Sequence, residues 1–228
     1  MSDRRTPGQV IFGPPPDVND LIRLWDEALT TRLLALVWQA YDELAGNEFA
    51  HVDWTQPLRD VERSITELLE RKIRDIMDGF LPCIVQHGPF ERELPSAHPG
   101  AQPREYDIAF IWRQNQRVMW PLEAKVLQDA SSTTGNLGDY IDTINTRYLT
   151  CHYAPFSSGG AMLGYLRSGE AVTVLCHIST QLGQALTQHP GFPARPHQYS
   201  DHNRTVPPGK LYVGGFRCHH LILPLSAT

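Results

Sequence analysis

The chain has 228 residues, 41% of them hydrophobic, and a formal net charge of −5. That is long enough for one large α/β domain with a real core, and it excludes global disorder. The acidic balance excludes a protein that grips nucleic acid alone through a broad basic surface, so any such substrate would be held partly through a partner subunit or a second copy of the chain.

Residues 1–16 read as an irregular segment, because Pro7, Gly8, Gly13, Pro14, Pro15 and Pro16 break any regular element. Residues 17–228 read as a single domain. Asp17 or Asn19 is placed to cap a helix. From Leu21 to Leu44 apolar residues recur at helical spacing, and Gly46 and Asn47 end the run. Trp25 and Trp38 fall on its core side. A second helix runs from about Leu58 to Asp78, with Val61, Ile65, Leu68, Leu69, Ile73 and Ile76 as one stripe and Gly79 as its stop. The segment from Phe80 to Phe90 contains a short strand, and Pro95 to Pro103 is a loop. Tyr106–Trp112 and Val118–Leu127 are strands around the polar turn Arg113–Arg117, so 105–127 is a β-hairpin.

After a Ser/Thr/Gly loop from Ser131 to Asn136, a helix is expected from Leu137 to Leu149. Ala161–Leu166 reads as helix or turn, Ala171–Ile178 as a buried strand, and Pro190–Gly209 as a connection. Leu211–Phe216 and Leu221–Leu225 read as two closing strands. The four cysteines stand far apart, without the C-x-x-C spacing of a zinc knuckle. No leader and no apolar run of membrane-spanning length is present, so the expectation is a cytoplasmic protein with free thiols and no membrane partner.

The chemistry concentrates on the hairpin. Glu123 and Lys125 are two apart and share one face of their strand, while Leu122, Ala124 and Val126 share the other. Burying two ionised groups in an apolar strand costs several kcal/mol each, roughly, unless they have partners. If the hairpin is symmetric about Asn115, Asp107 lies opposite Glu123. Two facing carboxylates repel unless a cation lies between them or one takes a proton. Mg²⁺ resolves that conflict, since it prefers oxygen ligands and keeps several waters; Mn²⁺ can substitute. Lys125 would stand beside the metal-bound water. In the competing account Glu123 and Lys125 are a solvated face of an edge strand. That account requires polar residues at the other same-face positions, where Met119, Pro121 and Leu127 stand instead.

Asp107 followed by Glu123-Ala124-Lys125 resembles the D…(D/E)-x-K signature of the PD-(D/E)XK nuclease superfamily, with Tyr106 where the signature has proline. The resemblance covers about residues 58–130. It implies a restriction-endonuclease-like α/β core, a central mixed sheet flanked by helices, and a Mg²⁺-dependent endonuclease hydrolysing phosphodiester bonds. The substrate it implies is DNA, with RNA not excluded. The family also places a glutamate on a helix before the hairpin. Glu62 is similar to that element and would bind metal through water or hold Lys125, with Glu67 and Glu70 as alternatives within a few residues of helical rotation.

A looser resemblance to restriction- and defence-linked members rests on Tyr140, Arg147, Tyr148, Tyr153, Gly160–Leu166, Ser200–Arg204 and His220–Leu223. It implies an effector subunit of a bacterial defence or restriction system. Arg147 and Arg204 are candidates for phosphate contacts, His202 for a phosphate or leaving-group contact, and Tyr140 or Tyr148 for stacking. Tyr140 and Tyr148 are equally read as core residues, and Arg147 as a partner of Asp139 or Asp142. Two other readings stand beside the nuclease. One is a catalytically silent nucleic-acid-binding or assembly subunit on the same fold; the other is a scaffold in which the motif is accidental. His219 and His220 are adjacent on a strand, point opposite ways and do not ligate one ion together.

Overall fold

The computed structural model describes residues 24–91, 103–129 and 136–225. The expected irregular segment 1–16, the caps at Asp17 and Asn19, and most of the loops at 95–103 and 131–136 lie outside the described residues. Helix α1 spans Glu27–Ala45; the Asp26 side chain accepts from the Leu29 N–H as its N-cap, and Gly46 ends it. Helix α2 spans Leu58–Ile76 and buries Val61, Ile65, Leu69 and Ile73 along one stripe. Strand β1 (Cys83–His87) pairs antiparallel with β2 (Ile108–Trp112), which pairs antiparallel with β3 (Met119–Leu127). Helix α3 (Asn136–Thr143) continues as a π-helical turn, Ile144–Tyr148. Then follow β4 (Gly159–Leu166), α4 (Ala171–Leu182), β5 (Thr187–Gln188), β6 (His197–Asn203) and β7 (Gly215–Pro224).

The seven strands form one mixed sheet in the order β1-β2-β3-β4-β7-β6-β5, with β3, β4 and β7 parallel. Trp120, Leu122, Ala124 and Val126 of β3 join the core cluster of α1 and α2. Met119 and Leu127, on the other face, join the cluster of α3 and α4. Helices therefore cover both faces, as a parallel centre demands. Among the described residues no helix is long and apolar enough to cross a membrane.

Several expectations are corrected. Ala161–Leu166 is not helix or turn but most of β4, buried at every position. Covered on both faces, the strand has no polar side to alternate with, so its period-2 signal is lost. Gly160 and Gly164 allow its close packing: a Cβ on Gly164 would lie 2.8 Å from both Ile222 Cδ1 and Leu127 Cδ1. Ala171–Ile178 is not a strand but α4. Its β-branched residues imitate a strand, yet Val174, Leu175 and Ile178 are buried at helical spacing while Val172 is 63% exposed. Gly183, at φ 66°, closes the helix. The supposed connection at 190–209 contains β6, and in place of the two expected closing strands there is one, β7, which begins only at Gly215. Its polar centre misleads, because His219 and His220 are both buried on opposite faces of the strand. Residues 211–214 of the first expected strand belong to no strand.

Candidate active site

The β2–β3 register pairs Ile108 with Leu122, Ala109 with Pro121, Phe110 with Trp120 and Ile111 with Met119. It is the symmetric hairpin about Asn115, and one step further it sets Asp107 beside Glu123. Each carboxylate is held by a backbone N–H across the hairpin. The Ala124 N–H donates to Asp107 Oδ2 at 2.7 Å, and the Asp107 N–H donates to Glu123 Oε1 at 3.3 Å. Glu123 is only 2% exposed. Burial lifts its carboxyl well above the usual range and the Asp107 charge adds to this, against the pull of Lys125 and Arg147. Arg147 Nη1 is 3.7 Å from Glu123 Oε2, too far to neutralise it by a direct hydrogen bond.

Lys125 donates to Glu62 Oε1 at 3.2 Å and to the Ala124 carbonyl at 2.6 Å. Glu62 Oε2 accepts from the Val126 N–H at 2.9 Å, so both carboxylate oxygens of Glu62 are engaged. Burial lifts the Glu62 carboxyl, with Asp107 adding and Lys125 opposing. Burial works against the Lys125 charge, but Glu62, Asp107 and Glu123 more than offset it and hold the ammonium protonated. Two cations, Lys125 in contact and Arg147 at 3.7 Å from Glu123, thus face three carboxylates. Of the alternatives to Glu62, Glu67 pairs with Arg63 and Glu70 with Arg74 on their own helix. The rotation that sequence left open ends on Glu62 next to Lys125. A direct metal contact from Glu62 is not what the hydrogen bonds favour, since its two oxygens already hold the lysine and the strand.

The donor set suits a hard divalent ion. Asp107 and Glu123 each give one carboxylate oxygen to a backbone N–H, which leaves the other oxygen of each uncommitted to the backbone, and the pair is short of positive charge. Arg147 joins the site rather than pairing with Asp139 or Asp142. Its Nη1 donates to the Tyr153 hydroxyl at 2.6 Å, and Tyr153 donates in turn to the Glu105 carbonyl. Clefts of about 360 Å³ and 570 Å³ lie beside the hairpin and meet at Glu105. Arg59, Arg63 and His87 line the first; Arg104, Arg147 and His152 line the second.

The other candidates lie elsewhere. His202 sits on β6, three strands from β3 in the sheet, roughly 14 Å at ordinary strand spacing. It bonds Ser200 Oγ and Gln184. Arg204 is buried, with its guanidinium donating to the carbonyls of Tyr153, Ala154 and Ser157. It anchors a loop, and at 7% exposure its guanidinium is not presented to a phosphate. Tyr140 and Tyr148 are fully buried core residues, bonded to His220 and to the Ala161 carbonyl. Sequence reasoning missed the pairing of Tyr106 with Glu91 beneath the site. Fifteen positions separate the two, and no motif spacing links them. Comparison of the chain with family models, curated proteins and solved structures finds no match.

Proposed function

We propose that this chain is a Mg²⁺-dependent phosphodiesterase of the PD-(D/E)XK type, on a restriction-endonuclease-like core, cutting DNA as an effector subunit of a bacterial defence or restriction system. One observation carries the reading: Asp107, Glu123, Lys125 and Glu62 converge although they come from a loop, a strand and a helix, and they leave a buried carboxylate without sufficient countercharge. Asp107 and Glu123 would hold the ion, which when bound supplies Lewis acidity and a lowered pKa for water. Lys125, steadied by Glu62 and the Ala124 carbonyl, orients the attacking water and meets the charge that builds on the phosphoryl oxygens. Arg147 is half-exposed beside Glu123 and offers a fork to the phosphate that flanks the scissile bond.

The test is cleavage of supercoiled plasmid with Mg²⁺ or Mn²⁺, comparing the wild type with Asp107→Ala and Lys125→Ala, with a matched RNA in parallel. Cleavage by the wild type alone is expected, and equal cleavage by all three proteins would overturn the assignment. The net charge of −5 favours a second reading, a subunit that is silent until a partner supplies the basic surface. Under that reading Mg²⁺ binds with the same dependence on Asp107, and turnover appears only when the partner is added.

A further inference from the structure

A second cluster lies outside the hydrolytic site. His189, His197 and His219 are buried, and one ring nitrogen from each lies within 4.8 Å of the others. Such a trio first suggests a transition metal. Its hydrogen bonds point elsewhere. The Trp38 indole N–H donates to His197 Nδ1 at 3.2 Å, and the Gly191 backbone N–H donates to His189 Nδ1 at 3.1 Å. Neither donor can accept, so both Nδ1 atoms carry lone pairs and both neutral rings carry their proton on Nε2. His197 Nε2–H then donates to His219 Nδ1 at 3.2 Å, which places the His219 proton on Nε2 as well. Ligation through Nε2 at His189 or His197 needs the reverse, a bare Nε2 and an Nδ1–H aimed at an acceptor, whereas both of these Nδ1 atoms face N–H donors. Burial holds the rings neutral: it pushes His197 down to about 2 and His219 well below its ordinary value. The trio is therefore a set of hydrogen-bond donors with a fixed direction.

Two of these donors, His189 and His219, line a cavity of about 590 Å³ at the leading ends of β3, β4 and β7. Trp25, Trp120 and Arg217 line it too. Trp25 is 4% exposed, and among the described residues its indole N–H has no hydrogen-bond partner. A buried donor left unpaired is uncommon in a folded protein and calls for an acceptor. Glu27 and Asp201 also line the cavity, but both are exposed at its rim, and Asp201 is paired with Arg217 at 2.8 Å. The cavity thus offers N–H groups and a guanidinium that Asp201 holds through two hydrogen bonds, and its volume is that of a small-molecule site.

We propose that this cavity is a second binding site, for a small organic oxyanion, a carboxylate or phosphate ester no larger than a mononucleotide. An oxyanion accepts several hydrogen bonds at once, which suits the N–H groups of Trp25, His189 and His219, and it would compete with Asp201 for the Arg217 guanidinium. This inference stands apart from the hydrolytic reading and survives its failure.

The experiment titrates the full chain with inorganic phosphate, a nucleoside monophosphate and succinate, following tryptophan fluorescence and the melting temperature. Trp25→Phe keeps the ring and removes the N–H; Arg217→Met removes the cation from a half-buried position. A saturable response to at least one probe is expected, weakened about tenfold in each variant, with the most responsive probe separating free phosphate, ester and carboxylate. Nitrogen-15 spectra of the histidines should show the Nε2–H form at His189, His197 and His219. Folded protein with no saturable response to any of the three probes would overturn the proposal. So would a response unchanged in both variants, or Zn²⁺ binding that converts His189 and His197 to the Nδ1–H form.

Discussion

The smallest unit that decides the chemistry is the Glu62 carboxylate. Its two oxygens hold Lys125 and the Val126 N–H, whereas Asp107 and Glu123 each have an oxygen free of the backbone. Substitutions at these positions should therefore separate. Glu62→Gln keeps one acceptor but weakens the hold on the ammonium, so kcat should fall about 10- to 100-fold while the Mg²⁺ dependence stays near that of the wild type. Asp107→Asn removes a ligand charge and should shift the Mg²⁺ dependence upward by about tenfold or more. Mg²⁺ titrations of the cleavage rate check both, and an equal shift in metal dependence for the two variants would return Glu62 to the metal.

At the level of elements, the segment 149–157 joins α3 to β4 and places Tyr153 under Arg147. It contains two non-glycine residues in left-handed backbone, Cys151 at φ 58° and Ala154 at φ 44°. Such a path persists only where its surroundings determine it. Arg204 does so with three carbonyl contacts, and the Tyr106 hydroxyl accepts from the Ala154 N–H. Phe216 packs under the guanidinium at 4.0 Å. A single ammonium cannot span the same carbonyls, so Arg204→Lys should cost roughly 2–3 kcal/mol of stability, read from the urea midpoint. Activity should fall further than in Arg147→Lys if the loop also positions Tyr153. A stable, fully active Arg204→Lys protein would show that the loop holds its own shape.

For the molecule as a whole, three buried histidines set the acid limit. Burial pushes His197 to about 2 and His220 to about 3, and His219 well below its ordinary value. In the unfolded chain they titrate near 6.5. A depressed folded value means that the unfolded state binds more protons, so the contribution is complete above about pH 6.5 and is lost as pH falls. At pH 5 the loss is up to about 2 kcal/mol for each histidine. Glu62 and Glu123, both lifted by burial, work the other way in ion-free protein. The comparison is therefore made in a Glu62→Gln, Glu123→Gln background, where melting temperature should drop steadily from pH 7 to pH 5. A flat profile would mean that these rings are solvated.

What the sequence determined alone was local: the stripe of α2, the face shared by Glu123 and Lys125, and a hairpin register in which Asp107 meets Glu123. Each follows from a period of a few residues, and turn length and side-chain alternation carry that period without outside help. Only the tertiary structure decided that Glu62 rather than Glu67 or Glu70 faces Lys125, that 171–182 is a helix, and that Gly159–Leu166 is the central strand. The strand-like composition of α4 yields to packing, and a strand covered on both sides loses the alternation that would mark it. Arg204, His197 and His219 found their partners across 22 to 159 positions, through pairings of β6 and β7 and contacts with α1 that no local pattern encodes.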